Sequence, residues 1–147
     1  MPPGLNDARL RRLSDHQFAV SDFRKLRVWI AARQLAIEAH RMTSKMRGPR
    51  NTALRDQLFR AAMSVPTNIV EGNAHDSARE RARFFRYALA SVSEVEGHLQ
   101  LSRDFQLITE RDYDDLLGHV LDVRKMLHGL LKSLKEPEKG DPETENS

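Results

Sequence analysis

The sequence predicts an all-α protein folded as an antiparallel, up-down-up-down four-helix bundle. Four segments place apolar residues three or four positions apart, which is the spacing of one packed helical face. No segment alternates apolar and polar residues over a useful length, so we predict no β-strand. The connections between the four segments are two to six residues long, and connections this short join antiparallel neighbours.

The first predicted helix covers about residues 23–46. Ser21 or Asp22 can accept hydrogen bonds from the free N–H groups at its start, and Gly48-Pro49 ends it. Its apolar seam consists of Val28, Ala32, Leu35, Ala39, Met42 and Met46.

The second predicted helix covers about residues 52–73, with Asn51 or Thr52 as its N-cap. Pro66 lies inside it and has no N–H group to donate to the preceding turn. We predict a kink rather than a break at this proline, because the apolar spacing resumes at Ile69. The buried face consists of Leu54, Leu58, Ala61, Val65 and Ile69.

A polar cluster surrounds Pro66 on this otherwise apolar helix. We interpret it as a set of partners for the backbone that the proline frees, and the alternative is a small polar pocket. Glu94 and Glu96 of the third helix lie within reach, and Arg60 or Arg124 could pair with a carboxylate there. The members of the cluster are Ser64, Thr67, Asn68 and Glu71.

The last two predicted helices have clear start signals. Ser77-Ala-Arg-Glu80 has the form of a capping box and opens the third helix. Thr109 opens the fourth, and acidic residues follow it where the helix dipole is positive. The third seam consists of Phe85, Ala88, Val92, Val95 and Leu99. The fourth seam consists of Leu116, Val120, Val123, Leu127, Leu130 and Leu134.

The charge of the 147-residue chain is unevenly distributed. The formal net charge is +3, but residues 24–135 contain 20 Lys and Arg against 13 Asp and Glu. We predict a flexible N-terminal extension over 1–21, the bundle over 22–135, and a disordered acidic tail over 136–147. The bundle is therefore the basic part of the protein.

The sequence lacks the residues that several classes of protein require. The absence of Cys excludes a disulfide scaffold, an iron–sulfur cluster and a thiol nucleophile. None of the six His lies in a zinc-binding or di-iron pattern, and no glycine-rich phosphate loop or hydrolase nucleophile turn occurs. No apolar run approaches the ~20 residues of a membrane span, and the N-terminus lacks a signal-peptide pattern. We expect a cytoplasmic protein that is not an enzyme and that has no catalytic residue, metal or cofactor.

Some helices carry more apolar surface than one core needs. The first and third helices each add a second apolar line to their seam. Such a wide face either fills a thick core or continues into a subunit interface, and we favour the interface. The expected anchors of this homo-oligomer interface are Trp29, Phe84 and Phe85.

Ten basic residues lie near the ends of the predicted helices. Cations at a helix start oppose the helix dipole, so stability does not explain the arginines that open the third helix. Arg is suited to bidentate contact with phosphate, and we predict that both ends of the bundle contact the backbone of nucleic acid. The alternative is a merely solvated charged face. The ten residues are Arg24, Lys25, Arg27, Arg47, Arg50, Arg55, Arg79, Arg81, Arg83 and Arg86.

Three stretches of the chain resemble a known family. They are Asp22-Phe-Arg-Lys-Leu-Arg-Val-Trp29, Leu58-Phe-Arg-Ala-Ala-Met-Ser-Val-Pro-Thr-Asn-Ile-Val-Glu-Gly72 and Phe84-Phe-Arg-Tyr-Ala-Leu-Ala-Ser-Val-Ser-Glu-Val-Glu96. Over about residues 22–135 the chain resembles the four-helix-bundle proteins encoded by intervening sequences in bacterial 23S rRNA genes. By this resemblance the distinctive positions, which we interpret as architectural, are Trp29, Pro66, Asn68, Glu71, Gly72, Glu94 and Glu96.

The resemblance implies a bundle that assembles into a ring-like homopentamer. It also implies kinship with the accessory variability protein of diversity-generating retroelements, a basic pentamer that binds a reverse transcriptase and nucleic acid. Our first hypothesis is a non-enzymatic oligomer that associates with RNA, DNA or a reverse-transcriptase complex through Arg-rich helix ends. The alternative is a protein-interaction scaffold that recruits a partner protein without binding nucleic acid.

Overall fold

The computed structural model describes residues 22–135, and these residues form four α-helices. Two short 3-10 helices, Phe23–Lys25 and Pro49–Asn51, precede the first and second of them. The segments 1–21 and 136–147, for which the sequence predicts an extension and an acidic tail, lie outside the described residues. The four helices are α1 (Arg27–Thr43), α2 (Thr52–Asn73), α3 (Ala78–Asp104) and α4 (Glu110–Lys135).

The four helices enclose one apolar core. Each helix packs against its neighbours in the chain, and α1 also packs against α4, so every helix of the bundle contacts two others. This confirms the predicted all-α four-helix bundle. At the end of α4 the seam differs from the prediction, because Leu131 is buried while Leu130 and Leu134 are half-buried. The largest fully buried side chains include Leu35, Met42, Leu58, Ile69, Val92, Leu99, Leu116 and Leu127.

The first helix is shorter than the sequence predicts. It starts at Arg27 because residues 23–25 form a 3-10 turn, and it ends at Thr43. Asp22 makes no capping hydrogen bond, since its carboxylate instead lies 3.2 Å from the Arg24 guanidinium. Asn51 is the N-cap residue of α2, as predicted, but its side chain makes no capping hydrogen bond and donates backwards to the carbonyl of Arg47 at 2.9 Å.

The start signals of the last two helices are confirmed. The Ser77 hydroxyl accepts a hydrogen bond from the Glu80 N–H at 3.1 Å. The Thr109 hydroxyl accepts one from the Asp112 N–H at 3.1 Å. Each hydroxyl satisfies one of the backbone donors that a helix start leaves free.

Pro66 lies within one uninterrupted helix, so the predicted continuation of α2 through this residue is confirmed. Side chains on the turn around it bind nearby carbonyl groups. Thr67 donates to the Met63 carbonyl and Asn68 to the Ser64 carbonyl, both at 2.9 Å. The Ser91 hydroxyl of α3 donates to the Ser64 hydroxyl at 2.8 Å, which links the two helices. The carbonyl that Pro66 leaves without its usual N–H donor is that of Ala62, and none of these hydrogen bonds reaches it, so the predicted role of the cluster as partners of the freed backbone stays a prediction.

Gly72 allows α2 and α3 to approach closely at their shared end. A Cβ atom added at this residue would lie 2.7 Å from Cε1 of Phe85 and 3.1 Å from Cβ of Phe84. Both distances are shorter than ordinary van der Waals contact. The absence of a side chain at Gly72 is therefore what lets the Phe85 ring pack between the helices.

We expect Gly72→Ala to lower the free energy of unfolding by about 1–2 kcal/mol, because the cost of overpacking exceeds the gain in helix propensity. The matched control is Gly97→Ala in α3, where an added Cβ meets nothing within 4 Å. That change should raise stability by up to about 1 kcal/mol. Urea unfolding of both variants measures the difference, and equal effects of the two changes would contradict the close approach at Gly72.

Candidate nucleic-acid interface

The two ends of the bundle differ in charge. The start of α1, the α2–α3 connection and the end of α4 form what we call the basic end (residues 22–27, 71–86 and 131–135), with nine Lys and Arg against four Asp and Glu. The opposite end, which we call the mixed end (residues 41–56 and 103–115), has seven against six. The prediction that both ends are basic is wrong for the mixed end, because the acidic start of α4 lies beside the end of α1.

Three arginines of α3 lie on one exposed face of the basic end. Arg79, Arg83 and Arg86 are exposed, and spacings of four and three place them on the same side of the helix. Arg83 pairs with Glu80 at 3.1 Å, whereas Arg79 and Arg86 form no ion pair with another described residue. Arg79 and Arg86 are therefore open to an anionic ligand, and Arg79 lies in the first turn of α3, where the helix dipole is positive.

The segment before α1 adds further positive charge to the basic end. Arg24, Lys25 and Arg27 are exposed. The first two lie beside one carboxylate, that of Asp22, at 3.2 and 4.0 Å. The segment packs against α1 and α2, and Phe23 meets the ring of half-buried Trp29 edge to face at 5.0 Å.

Arg81 does not belong to the exposed face. It is half-buried, and its Nη2 donates to the Oδ1 atom of buried Asn73 at 3.4 Å. Its buried Nε has no hydrogen-bond partner among the residues that the structure describes. Because Arg81 lies four positions before Phe85, it shares the inward side of the helix. Arg81 therefore links α3 to the end of α2, and the predicted nucleic-acid contact at this residue stays a prediction.

An aromatic cluster borders the exposed arginines. The rings of His75 and Phe84 stack with centres 5.0 Å apart, and Tyr87 meets Phe84 edge to face at 5.7 Å. The Arg83 guanidinium lies 5.1 Å from the Phe84 ring centre and 5.8 Å from that of Tyr87. This cluster is absent from the residues predicted from the sequence, although the spacing of Tyr87 from Arg83 and Phe84 indicates a shared helix face.

Asp112 organises the mixed end. Its side chain is 8% exposed, and Oδ1 accepts hydrogen bonds from Arg41 at 3.1 Å and from Lys45 at 3.4 Å. Burial raises the pKa of Asp112, but its hydrogen bonds and the Lys45 charge outweigh burial and hold the pKa below its ordinary value of 3.8. A hydrogen bond from Arg41 likewise lowers the pKa of Glu38 from 4.5.

The mixed end should lose stability in acid. A carboxyl group with a lowered pKa in the folded state stabilises the fold above its unfolded-state pKa, and this contribution disappears as the pH falls through the folded pKa. We therefore expect the free energy of unfolding to fall steadily below about pH 4.5. Asp112→Asn should cost about 1 kcal/mol at neutral pH and flatten this dependence, measured by urea unfolding across the pH range. An unchanged pH profile would contradict the role of Asp112.

The three contacts predicted at the mixed end have different surroundings. Arg47 and Arg50 are exposed on the α1–α2 connection. Arg55 is half-buried, and its Nη1 donates to the Met46 carbonyl at 3.3 Å while Nε lies 3.6 Å from Asp56. Arg55 therefore links α2 to the preceding connection, and its role as a nucleic-acid contact stays a prediction.

The three predicted interface anchors differ in burial. Trp29 and Phe84 are half-buried and keep some exposed ring surface. Phe85 is 2% exposed and lies in the core of its own bundle, so it has no surface to offer another subunit. The expectation for Phe85 is therefore corrected from interface anchor to core residue.

The glutamates of the family pattern lie near the outer seams of the bundle. Glu96 of α3 pairs with Arg124 of α4, which is one of the two partners that the sequence suggests. Glu94 is exposed and lines an open groove with Arg60 between α2 and α3. Glu71 is exposed on α2.

Among residues 22–135, no helix has both the length and the apolarity that crossing a membrane requires. The same part of the chain holds no group of three or more His, Asp or Glu side chains placed to bind a metal ion.

The fold and its charged end define a small antiparallel helical bundle with one cationic end. The chain belongs to the family described as the 23S rRNA-intervening sequence protein, whose profile matches residues 24–129.

Among the solved structures that match this chain is one with the same fold. It is the crystal structure of a protein from Bacteroides thetaiotaomicron, described as a protein with unknown function from the S23 ribosomal protein family. The two chains superimpose with a TM-score of 0.67 at 20% sequence identity, over 71% of this chain and 98% of the other. At this identity the likeness concerns the fold alone. A search of curated proteins finds no match to this chain.

Proposed function

We propose that this protein is a non-enzymatic, oligomeric bundle that associates with nucleic acid through its basic end. The observation that carries the proposal is the exposed face formed by Arg79, Arg83 and Arg86. Arg79 lies in the first turn of α3, where a cation opposes the helix dipole, and neither Arg79 nor Arg86 forms an ion pair with another described residue, so helix stability does not explain two of the three cations of this face. Its chemistry matches a phosphate backbone, which Arg contacts through charge and paired hydrogen bonds.

The proposal includes self-association. Ile30 and Ile37 of α1 are 45% and 47% exposed, and their spacing of seven places them on one helix face. A second copy of the chain would cover this apolar face, and several copies would multiply the positive charge offered to one nucleic acid. Light scattering at micromolar concentration tests this part, and a monomeric mass would contradict it.

Binding to a structured RNA at two salt concentrations tests the association with nucleic acid. With four to six phosphate contacts, we expect the affinity to fall by about 10²- to 10³-fold as salt rises from about 50 to about 200 mM. The proposal would be refuted if the protein did not bind RNA at the lower salt concentration, or if its affinity did not fall as salt rises. The resemblance to retroelement accessory proteins extends it to a complex with a reverse transcriptase. A partner protein retained after nuclease treatment would favour the alternative of a protein scaffold.

A further inference from the structure

We propose that Tyr87 and Arg83 form a stacking site for an unpaired nucleotide base. The basic end would then bind single-stranded or looped nucleic acid in preference to a duplex. This inference rests on the proposed association with nucleic acid and specifies its ligand. An unpaired base offers both ring faces, whereas a base inside a duplex has both faces covered by its neighbours.

The Tyr87 ring is open and held in place. It is 47% exposed, which leaves apolar ring surface toward solvent. Phe84 supports it edge to face at 5.7 Å, and Phe84 in turn stacks on His75 at 5.0 Å. Because its neighbours already restrict the ring, a base that stacks on it loses little further side-chain entropy.

Arg83 completes the stacking site. Its guanidinium lies 5.1 Å from the Phe84 ring centre and 5.8 Å from that of Tyr87, and half of its side chain is exposed. A planar guanidinium stacks on nucleobases as an aromatic ring does and adds a positive charge. The two side chains therefore offer a base an aromatic surface and a cation together.

The neighbouring arginines fit the backbone of a short single strand. Arg79 and Arg86 lie on the same exposed face as Arg83, seven positions apart along α3. Seven helical residues span about 10 Å, which is the length of about three nucleotides of a stacked strand. Phosphates could thus meet these two arginines while a base at the Arg86 end of the strand stacks on Tyr87, the next residue of α3.

The experiment compares a short unstructured single-stranded RNA with an RNA duplex of the same length at low salt. The full chain should bind the single strand more tightly. Tyr87→Ala should weaken single-strand binding by about 5- to 150-fold and leave duplex binding within about twofold, while Tyr87→Phe should bind like the unchanged protein. Quenching of a 2-aminopurine base in the strand reports stacking directly and should disappear in Tyr87→Ala.

Phe105→Ala is the matched control. Phe105 is an exposed aromatic residue, 60% accessible, at the mixed end, and its removal should leave both affinities unchanged. If Tyr87→Ala lowers the affinities for the single strand and the duplex equally, or lowers neither, the stacking site is wrong. Salt-dependent binding by the unchanged protein would in that case still support the proposed function. Absent binding of both ligands to the unchanged protein would refute the proposed function itself. Urea unfolding of each variant identifies any loss that comes from the fold.

Discussion

Phe85→Ala should lower the free energy of unfolding by about 3–5 kcal/mol, the largest effect on stability that we expect from a single substitution in this protein. The ring is 2% exposed and fills the space that Gly72 leaves between α2 and α3. Truncation removes this buried apolar surface and leaves a cavity that two packed helices cannot close fully. Domains of this size have a total stability of about 5–15 kcal/mol, so the variant should melt many degrees lower.

Phe84→Ala is the control for this prediction. Phe84 is the adjacent residue but is half-buried, and its ring packs on His75 and Tyr87 at the surface. Its truncation should cost about 1 kcal/mol, a fraction of the cost at Phe85. Urea unfolding and light scattering are measured on both variants. If Phe85→Ala kept its stability but lost a subunit contact, the core position of this ring would be wrong and the interface expectation would be correct.

The helices and most of the core could be predicted because both follow from periodicity along the chain. A residue three or four positions from a buried one shares its helix face. The buried seams of the first three helices, which contain Leu35, Val65 and Val92 respectively, could therefore be located without tertiary information. The same spacing placed Phe85 in the seam of α3, and its assignment to an interface ignored that signal. The same helical spacing places Arg81 on the inward face of α3, since it lies four positions before Phe85.

The charges of the two ends could not be predicted so well, because they depend on which helices meet there. The basic residues of α1 look unpaired when that helix is considered with α2 alone. Asp112 is more than sixty positions away in the chain, yet it binds both Arg41 and Lys45. The partner of Glu96 likewise depended on how α3 faces α4, and the sequence left two candidates open. Contacts between helices require their relative rotation, which periodicity within one helix does not specify.

Neutralising three arginines of the basic end should give the largest effect on ligand affinity. The proposed variant is Arg27→Gln, Arg79→Gln and Arg86→Gln, at exposed residues that form no ion pair with another described residue. Each lost phosphate contact should weaken RNA binding by about tenfold near 50 mM salt, because each contributes a slope of about 0.7–0.9 in log affinity against log salt. We therefore expect the affinity for RNA to fall by about 10³-fold. The slope of log affinity against log salt should become shallower by about two to three.

The matched control removes the same charge from the mixed end. Arg47→Gln, Arg50→Gln and Arg111→Gln also replace three exposed arginines without an ion pair to another described residue. Affinity should change by less than about threefold there, because the acidic start of α4 opposes an approaching phosphate backbone. Loss of the fold does not account for the difference, since removing a cation at position 79 relieves an unfavourable interaction with the α3 dipole. Equal losses in both variants would mean that net charge alone governs binding, and a larger loss in the control would move the interface to the mixed end.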